Sequence, residues 1–210
     1  VLDAALLGEG KVTGPLTMPA FATDPSELFC YTQDLDKAKA LMEEAGYADG
    51  FSAKVMAATG EPPTAAAEAQ VIQSQLAEIG IDLDIEMMEL NVYIDRWLKG
   101  DFDMAVALNG GRTDPYTMYN RYWTKDGNLN HVAHYIDDEL DTLMNEGRVE
   151  TDPAKRKEIF AEFSRHITEA SPWVWLYTGY SYTASTDKVK GFEATPTGSL
   201  FGLTAVTIGE

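Results

Sequence analysis

Phe102-Asp103-Met104-Ala105-Val106-Ala107-Leu108-Asn109-Gly110-Gly111-Arg112-Thr113-Asp114-Pro115 is the stretch on which the fold turns. Its first half carries one charge among apolar residues, the pattern of a strand buried on both faces in a parallel sheet. Asn109-Gly110-Gly111 then allows positive φ and leaves backbone N–H groups unobstructed by Cβ atoms. Asp114-Pro115 predicts a helix start, with Asp114 as N-cap and Pro115 in the first turn. A strand that passes through a glycine turn into a helix is where open α/β sheets hold a ligand crevice; an ordinary strand-to-helix loop has the same outline.

Working upstream, residues 81–87 alternate strictly, with Ile81, Leu83, Ile85 and Met87 set against Asp82, Asp84 and Glu86. That predicts a half-buried outer strand whose carboxylates form a solvated face. Between it and residue 102, a short helix capped by Asn91 carries Tyr93, Ile94, Trp97 and Leu98 and stops at Gly100. A strand at 51–58 and a helix opened by Pro62-Pro63-Thr64, with Ile72, Leu76 and Ile79 as its stripe, complete a strand-helix-strand-helix-strand run. Parallel strands and right-handed crossovers then give one layered α/β structure, a mixed or parallel sheet flanked by helices. Farther upstream, Asp34 or Asp36 caps an amphipathic helix at 36–46 with Ala38, Leu41, Met42 and Ala45 on one face; residues 14–29 read as loop and 1–8 as the tail of a helix.

Downstream of Pro115, Tyr116, Met118, Tyr119, Tyr122 and Trp123 fill a short aromatic helix. Helices at 137–147 and 153–170 follow, and then strands at 173–177 and 180–183 separated by Thr178-Gly179, with one more strand within 201–208.

At 210 residues, 45% of them apolar, the chain can bury a full core. A net charge of −18 argues against nucleic acid and anionic membrane as partners, because both require a basic footprint. No apolar run is long enough for a membrane-spanning helix. The sequence starts at Val1 without an initiator Met or a cleavage site, as a piece of something longer would. Cys30, the single cysteine, reads as a buried or half-buried free thiol.

Catalytic patterns are sparse. His131 and His134, followed by Asp137 and Asp138, have the look of a metal quartet, but zinc spacing of this kind normally brings Cys or a distant third His, and no metal or other cofactor is expected. There is no G-x-S-x-G elbow and no phosphate-binding G-x-x-x-x-G-K-[ST]. The aromatics Trp97, Tyr116, Tyr119, Tyr122, Trp123, Trp173 and Trp175, set beside Asn109, Asn128 and Asn130, suit a neutral or zwitterionic small molecule, although Trp173 and Trp175 read better as core.

One longer pattern is specific. Asp34-Leu35-Asp36-Lys37-Ala38-Lys39-Ala40-Leu41-Met42-Glu43-Glu44-Ala45-Gly46-Tyr47-Ala48-Asp49-Gly50-Phe51 resembles the D-x-x-K-A-K-x-L-L-x-x-A-G-Y-x-D-G-F signature of the family 5 extracellular solute-binding proteins, receptors of dipeptide/oligopeptide-type ABC importers. Ile72-Gln73-Ser74-Gln75-Leu76-Ala77-Glu78-Ile79-Gly80-Ile81 is similar to I-Q-x-Q-L-x-x-I-G-I, Gly100-Asp101-Phe102-Asp103 to G-x-F-D, and Asp114-Pro115 to the D-P that follows. Tyr135, Asp141, Leu143, Asp152, Arg156, Pro172, Leu176-Tyr177 and Val189-Lys190-Gly191 continue the family's order.

The resemblance implies a type II periplasmic-binding-protein-like lobe: residues 1–30 as a hinge-proximal opening segment, 31–192 as the C-terminal ligand-binding lobe, and 193–210 as a return toward an N-terminal lobe. It implies a periplasmic or extracellular, monomeric, non-enzymatic receptor, optionally membrane-anchored through an N-terminal part. Its partners would be a small solute, peptide or oligosaccharide-like, and the membrane subunits of an ABC importer. The ligand-binding residues expected at this crevice are Asn109, Gly110, Gly111, Arg112, Asp114, Tyr116, Asn128, Asn130 and His131. Peptide-binding members place an Asp in the loop for the ligand's amino group, where this chain has Gly111 or Arg112; a two-residue shift would put Asp114 there instead. With Gly111 or Arg112 in that place, the loop is expected to meet a polyhydroxylated or anionic group, unless Arg112 simply lies on the surface paired with an acid. The competing expectation, from a different class, is a carboxylate- or His131-dependent hydrolase at the same crevice.

Overall fold

The computed structural model describes residues 1–22, 24–28, 32–195 and 199–209; Cys30 lies outside them. The chain opens with helix α1 (Leu2–Leu6) and strand β1 (Gly10–Lys11), and then helix α2 (Leu35–Glu44). The layered run follows as β2 (Phe51–Ala58), α3 (Ala65–Ala77), β3 (Ile81–Met88), α4 (Leu90–Lys99) and β4 (Met104–Ala105). Three helices come next: α5 (Pro115–Trp123), α6 (Asp138–Val149) and α7 (Pro153–Ala170). Short strands β5 (Thr178–Gly179), β6 (Val189–Lys190) and β7 (Thr207–Ile208) complete the described elements, with 3-10 turns at Pro25–Glu27 and Leu200–Ala205.

β2 is the middle strand of a parallel sheet ordered β3-β2-β4. Successive side chains of a strand point to opposite faces, and here both faces are covered. Val55 and Ala57 pack with Leu83, Val106 and the Ala65/Ala69 side of α3. Met56 and Ala58 pack with Tyr93 of α4, bordered by Trp97, Phe102 and Ala105. The strand buried on both faces is therefore β2, not the 102–108 stretch. That stretch pairs only at Met104 and Ala105, on the sheet edge, and Leu108 is 65% exposed. The Asp103 carboxylate accepts from Lys54 N–H at 3.1 Å, so a side chain takes the donor just ahead of the ladder.

β3 is the other edge strand, as its alternation predicts. Its acidic face is not wholly solvated: Glu86 accepts from Lys54 Nζ at 2.7 Å and from Arg96 at 2.8 Å, which fastens α4 across the sheet. α4 is capped by Glu89 rather than Asn91, and Gly100 closes it in the left-handed conformation. α2 is capped by Asp34 and leaves much of its apolar face bare, with Leu41 52% exposed.

The second core belongs to α5, α6 and α7. Tyr119, Leu140, Met144, Phe160, Phe163 and Ile167 are completely buried, with Tyr122 and Trp123 nearly so. Each such side chain contributes about 1.5–3 kcal/mol over leaving it in water. The aromatics of α5 are thus core rather than a recognition surface. Trp173 and Trp175 are half-buried in the same cluster, Trp173 at 4.9 Å from the Tyr122 ring and 5.0 Å from Trp123. Residues 173–177 form no strand. Only Thr178–Gly179, expected as a separator, pairs with a strand, the antiparallel β1, and 180–183 forms no strand. In the tail, β7 pairs antiparallel with β6.

The α6–α7 contact depends on Gly147, where a Cβ would stand 2.5 Å from Phe160 Cζ. Alanine in a helix is favoured over glycine by about 1 kcal/mol, whereas overpacking a rigid core costs about 1–3 kcal/mol. We therefore expect Gly147→Ala to lower stability by about 1–2 kcal/mol in urea unfolding; a gain in stability would show that the contact relaxes freely.

α6 is capped by Asp137, which also accepts from His166 of α7 at 2.9 Å and from Tyr135 at 2.8 Å. Burial pushes the Asp137 carboxyl up, but these bonds and the N–H groups of Leu140 and Glu139 outweigh it and hold it at about 2. Burial pushes His166 down, but the Asp137 hydrogen bond and the Asp137, Glu139 and Glu169 charges outweigh it and leave it raised. The Asp137 contribution to stability is complete above its ordinary 3.8 and is lost as the pH falls through about 2. The His166 contribution is complete below its ordinary 6.5 and is lost as the pH rises through its raised value. His166→Gln is expected to cost about 1–2 kcal/mol near pH 5.5 and clearly less near pH 9, read from urea midpoints at the two pH values.

Candidate functional site

Because β2, β3 and β4 run parallel, their C-terminal ends share one edge of the sheet. Thr59 N–H donates to Met88 O at 2.8 Å and Val106 N–H to Met56 O at 3.0 Å, so the exits of all three strands are fastened together. Tyr93 Oη donates to Val106 O at 2.8 Å and holds the end of the edge strand against α4. Beyond that anchor, Asn109, Gly110, Gly111 and Arg112 are all exposed. A Cβ on either glycine would meet nothing within 4 Å, and neither takes the positive φ that the sequence suggests. Arg112 makes no hydrogen bond or ion pair among the described residues and is a free guanidinium at this edge.

Asp114 ends the loop and has two structural partners. Its carboxylate accepts from Thr117 N–H at 3.2 Å as the cap of α5, and from Arg156 at 2.6 Å. Arg156 also donates to Gly147 O at 2.7 Å and lies 5.2 Å over the Phe21 ring and 5.0 Å over Phe160. Tyr116 is half-buried against the α5–α7 core, with Arg148 5.5 Å above its ring.

The remaining residues singled out from the sequence lie elsewhere. Asn128 is exposed, Asn130 donates to Lys125 O at 3.2 Å, and His131 Nε2 meets Leu98 O at 2.9 Å. His134 Nε2 meets Gly100 O at 3.1 Å, and its ring stacks on Phe102. His131 and His134 therefore serve the C-terminus of α4, ahead of β4, whereas Asn109 lies beyond the exit of β4. Asp137 is turned to His166, so the four residues of the apparent metal quartet do not converge.

One group at the strand-exit edge escapes the sequence reading. Glu68, in the first turn of α3, is only 3% exposed. Its Oε1 accepts from Thr64 Oγ1 at 2.5 Å and from Tyr177 Oη, and the two hydroxyls are 3.2 Å apart. Burial and then the Glu68 hydrogen bond push the Tyr177 hydroxyl up to about 12, so it remains a protonated donor. The signal was present in the spacing: Ala65, Glu68, Ala69 and Ile72 fall at i, i+3, i+4 and i+7, which puts a carboxylate on the apolar stripe. Tyr177, far along the chain and next to β5, carries no such signal.

Comparison with known proteins agrees with this fold. The family model for bacterial extracellular solute-binding proteins, family 5 Middle, matches residues 1–130. Di/tripeptide-binding protein 2 of Pseudomonas aeruginosa is 28% identical over 88% of this chain, which spans 37% of that relative's length. The periplasmic binding protein DppA of Helicobacter pylori, solved with the peptide STSA, superposes with a TM-score of 0.78 at 25% identity, over 100% of this chain and 41% of its own. The binding protein AgaA of A. tumefaciens R10, solved with agropinic acid, gives a TM-score of 0.78 at 25% identity, over 100% of this chain and 44% of its own. With a family match over more than half its length and the same α/β fold in solved relatives, this chain belongs to the bacterial extracellular solute-binding proteins of family 5.

Proposed function

We propose that this chain is the C-terminal ligand-binding lobe, residues 31–192, of a periplasmic or extracellular receptor that delivers a small solute to an ABC importer. Residues 1–30 and 193–210 lead to and from a second lobe in this reading, and the solute is closed between the two lobes by hinge motion. The observation that carries it is the shared exit edge of β2, β3 and β4, bordered by an exposed loop with a free Arg112. That arrangement places unpaired donors where open α/β sheets receive ligands. Relatives named for di- and tripeptides, and solved relatives holding a peptide and agropinic acid, support a small polar solute, with peptides foremost.

Within the loop, Asn109 and Arg112 supply the polar contacts, and the two glycines let the solute approach the backbone. Arg112 suits a carboxylate or a hydroxyl-rich group, since its planar fork offers five donors and a permanent charge. Asp114 and Tyr116 stand behind the loop and hold its end. Asn128, Asn130 and His131 reach the solute only if it extends past the start of β4. A hydrolase at the same crevice finds no support: the family is one of solute-binding proteins, and His131 is engaged with the Leu98 carbonyl.

Titration calorimetry on the full-length receptor with di- and tripeptides and with oligosaccharides tests this reading. Arg112→Ala is expected to weaken solute binding about tenfold, near 1.4 kcal/mol, with the melting temperature unchanged. Asp114→Asn is expected instead to lower stability by about 1–2 kcal/mol through lost capping and ion pairing. A receptor that binds no small solute, or an Arg112→Ala variant that binds as well as the parent, would overturn the assignment.

A further inference from the structure

We infer that Glu68, Thr64 and Tyr177 form a seat for a primary ammonium group of the captured solute. The inference rests on the receptor reading above and names a chemical class for part of its ligand. The loop after β4 has no acid ahead of Asp114, and Asp114 is held by Arg156 and the α5 cap. A positive group of the solute received on this lobe therefore calls for a carboxylate on another element of the strand-exit edge. α3 starts at that edge, directly after the exit of β2, and Glu68 lies in its first turn.

Three features of the cluster fit a cation. Glu68 is buried, yet it has no Lys, Arg or His partner among the described residues, and a buried carboxylate without a counter-charge is costly. Both hydrogen bonds it accepts fall on Oε1, which leaves Oε2 without a donor among the described residues. The Thr64 and Tyr177 hydroxyls spend their protons on Glu68, so their lone pairs remain as acceptors. Their oxygens lie 3.2 Å from each other, and each is in hydrogen-bond contact with Glu68. Three acceptor oxygens grouped this closely match the three donors of an –NH3+ group. A hydroxyl, with a single donor, would leave part of that set unused. Thr64 and Tyr177 are only half-buried, unlike Glu68.

The experiment uses the full-length receptor. A thermal-shift panel of free-amine dipeptides, amino acids and amine-free oligosaccharides finds the solute class, and calorimetry then compares the best amine-bearing hit with its N-acetyl form. The expected result is tight binding of the free amine, a loss of tenfold or more on Glu68→Gln, and no effect of Glu68→Gln on the weakly bound N-acetyl form. Tyr177→Phe should lose severalfold for the free amine and gives the test a second variant if Glu68→Gln fails to fold. Equal affinity of Glu68→Gln and the parent for the free amine overturns the inference, as does a parent that binds only amine-free solutes; both leave the receptor reading standing. Stabilisation by sodium chloride over choline chloride that Glu68→Gln abolishes, with no amine dependence, would make the seat one for an inorganic cation and overturn the inference too. If no solute of any class binds, the receptor reading fails, and this inference fails with it.

Discussion

Burial of β2 on both faces is the constraint that organises the sheet. A strand with neighbours on both edges and helices on both faces must be apolar at consecutive positions, and Val55-Met56-Ala57-Ala58 meets that demand with small and medium side chains. α3 and α4 follow β2 and β3 in the chain, so their N-termini come after the strand exits. Parallel strands then leave every exit on the same edge. The shared exit edge follows from backbone topology before any polar side chain is considered.

The helical layer is tied to that edge through one cation. Arg156 joins the cap of α5, the Gly147 carbonyl of α6 and the rings of Phe21 and Phe160. Charge-assisted bonds in such half-buried positions are stronger than exposed pairs, because less water competes for the same groups. The same contact fixes where the loop after β4 must end. Asn109 to Arg112 are held at one side by Tyr93 on the Val106 carbonyl and at the other by Asp114, and between those anchors they are exposed.

A second tie crosses the molecule through hydroxyl groups. Trp175 Nε1 donates to Tyr119 Oη at 3.1 Å, and Tyr119 Oη donates to Pro15 O at 2.5 Å, so segments near both ends of the chain meet on the α5 core. Two residues on, Tyr177 reaches Glu68 of α3, and Thr178 pairs with Lys11. The β1–β5 ribbon is therefore fastened to both cores.

The sequence by itself determined the order of helices and strands through the layered run, because periodicity and capping are local: alternation at 81–87, Asp114-Pro115 at a helix start, Gly100 at a helix end. It also carried the family resemblance in residues 34–51 and 72–81. Which strand lies in the middle was decided only by tertiary structure, since apolar runs at 51–58 and 102–108 look alike until one is paired on both sides. The fate of the aromatics was likewise tertiary: Tyr119, Tyr122 and Trp123 became core because α6 and α7 folded over them. The candidate site divided in the same way. Asn109 to Arg112 could be read from a strand-turn-helix pattern, whereas Glu68, Thr64 and Tyr177 meet only because a ribbon from the far end of the chain closes on the first turn of α3, a contact that no local pattern encodes.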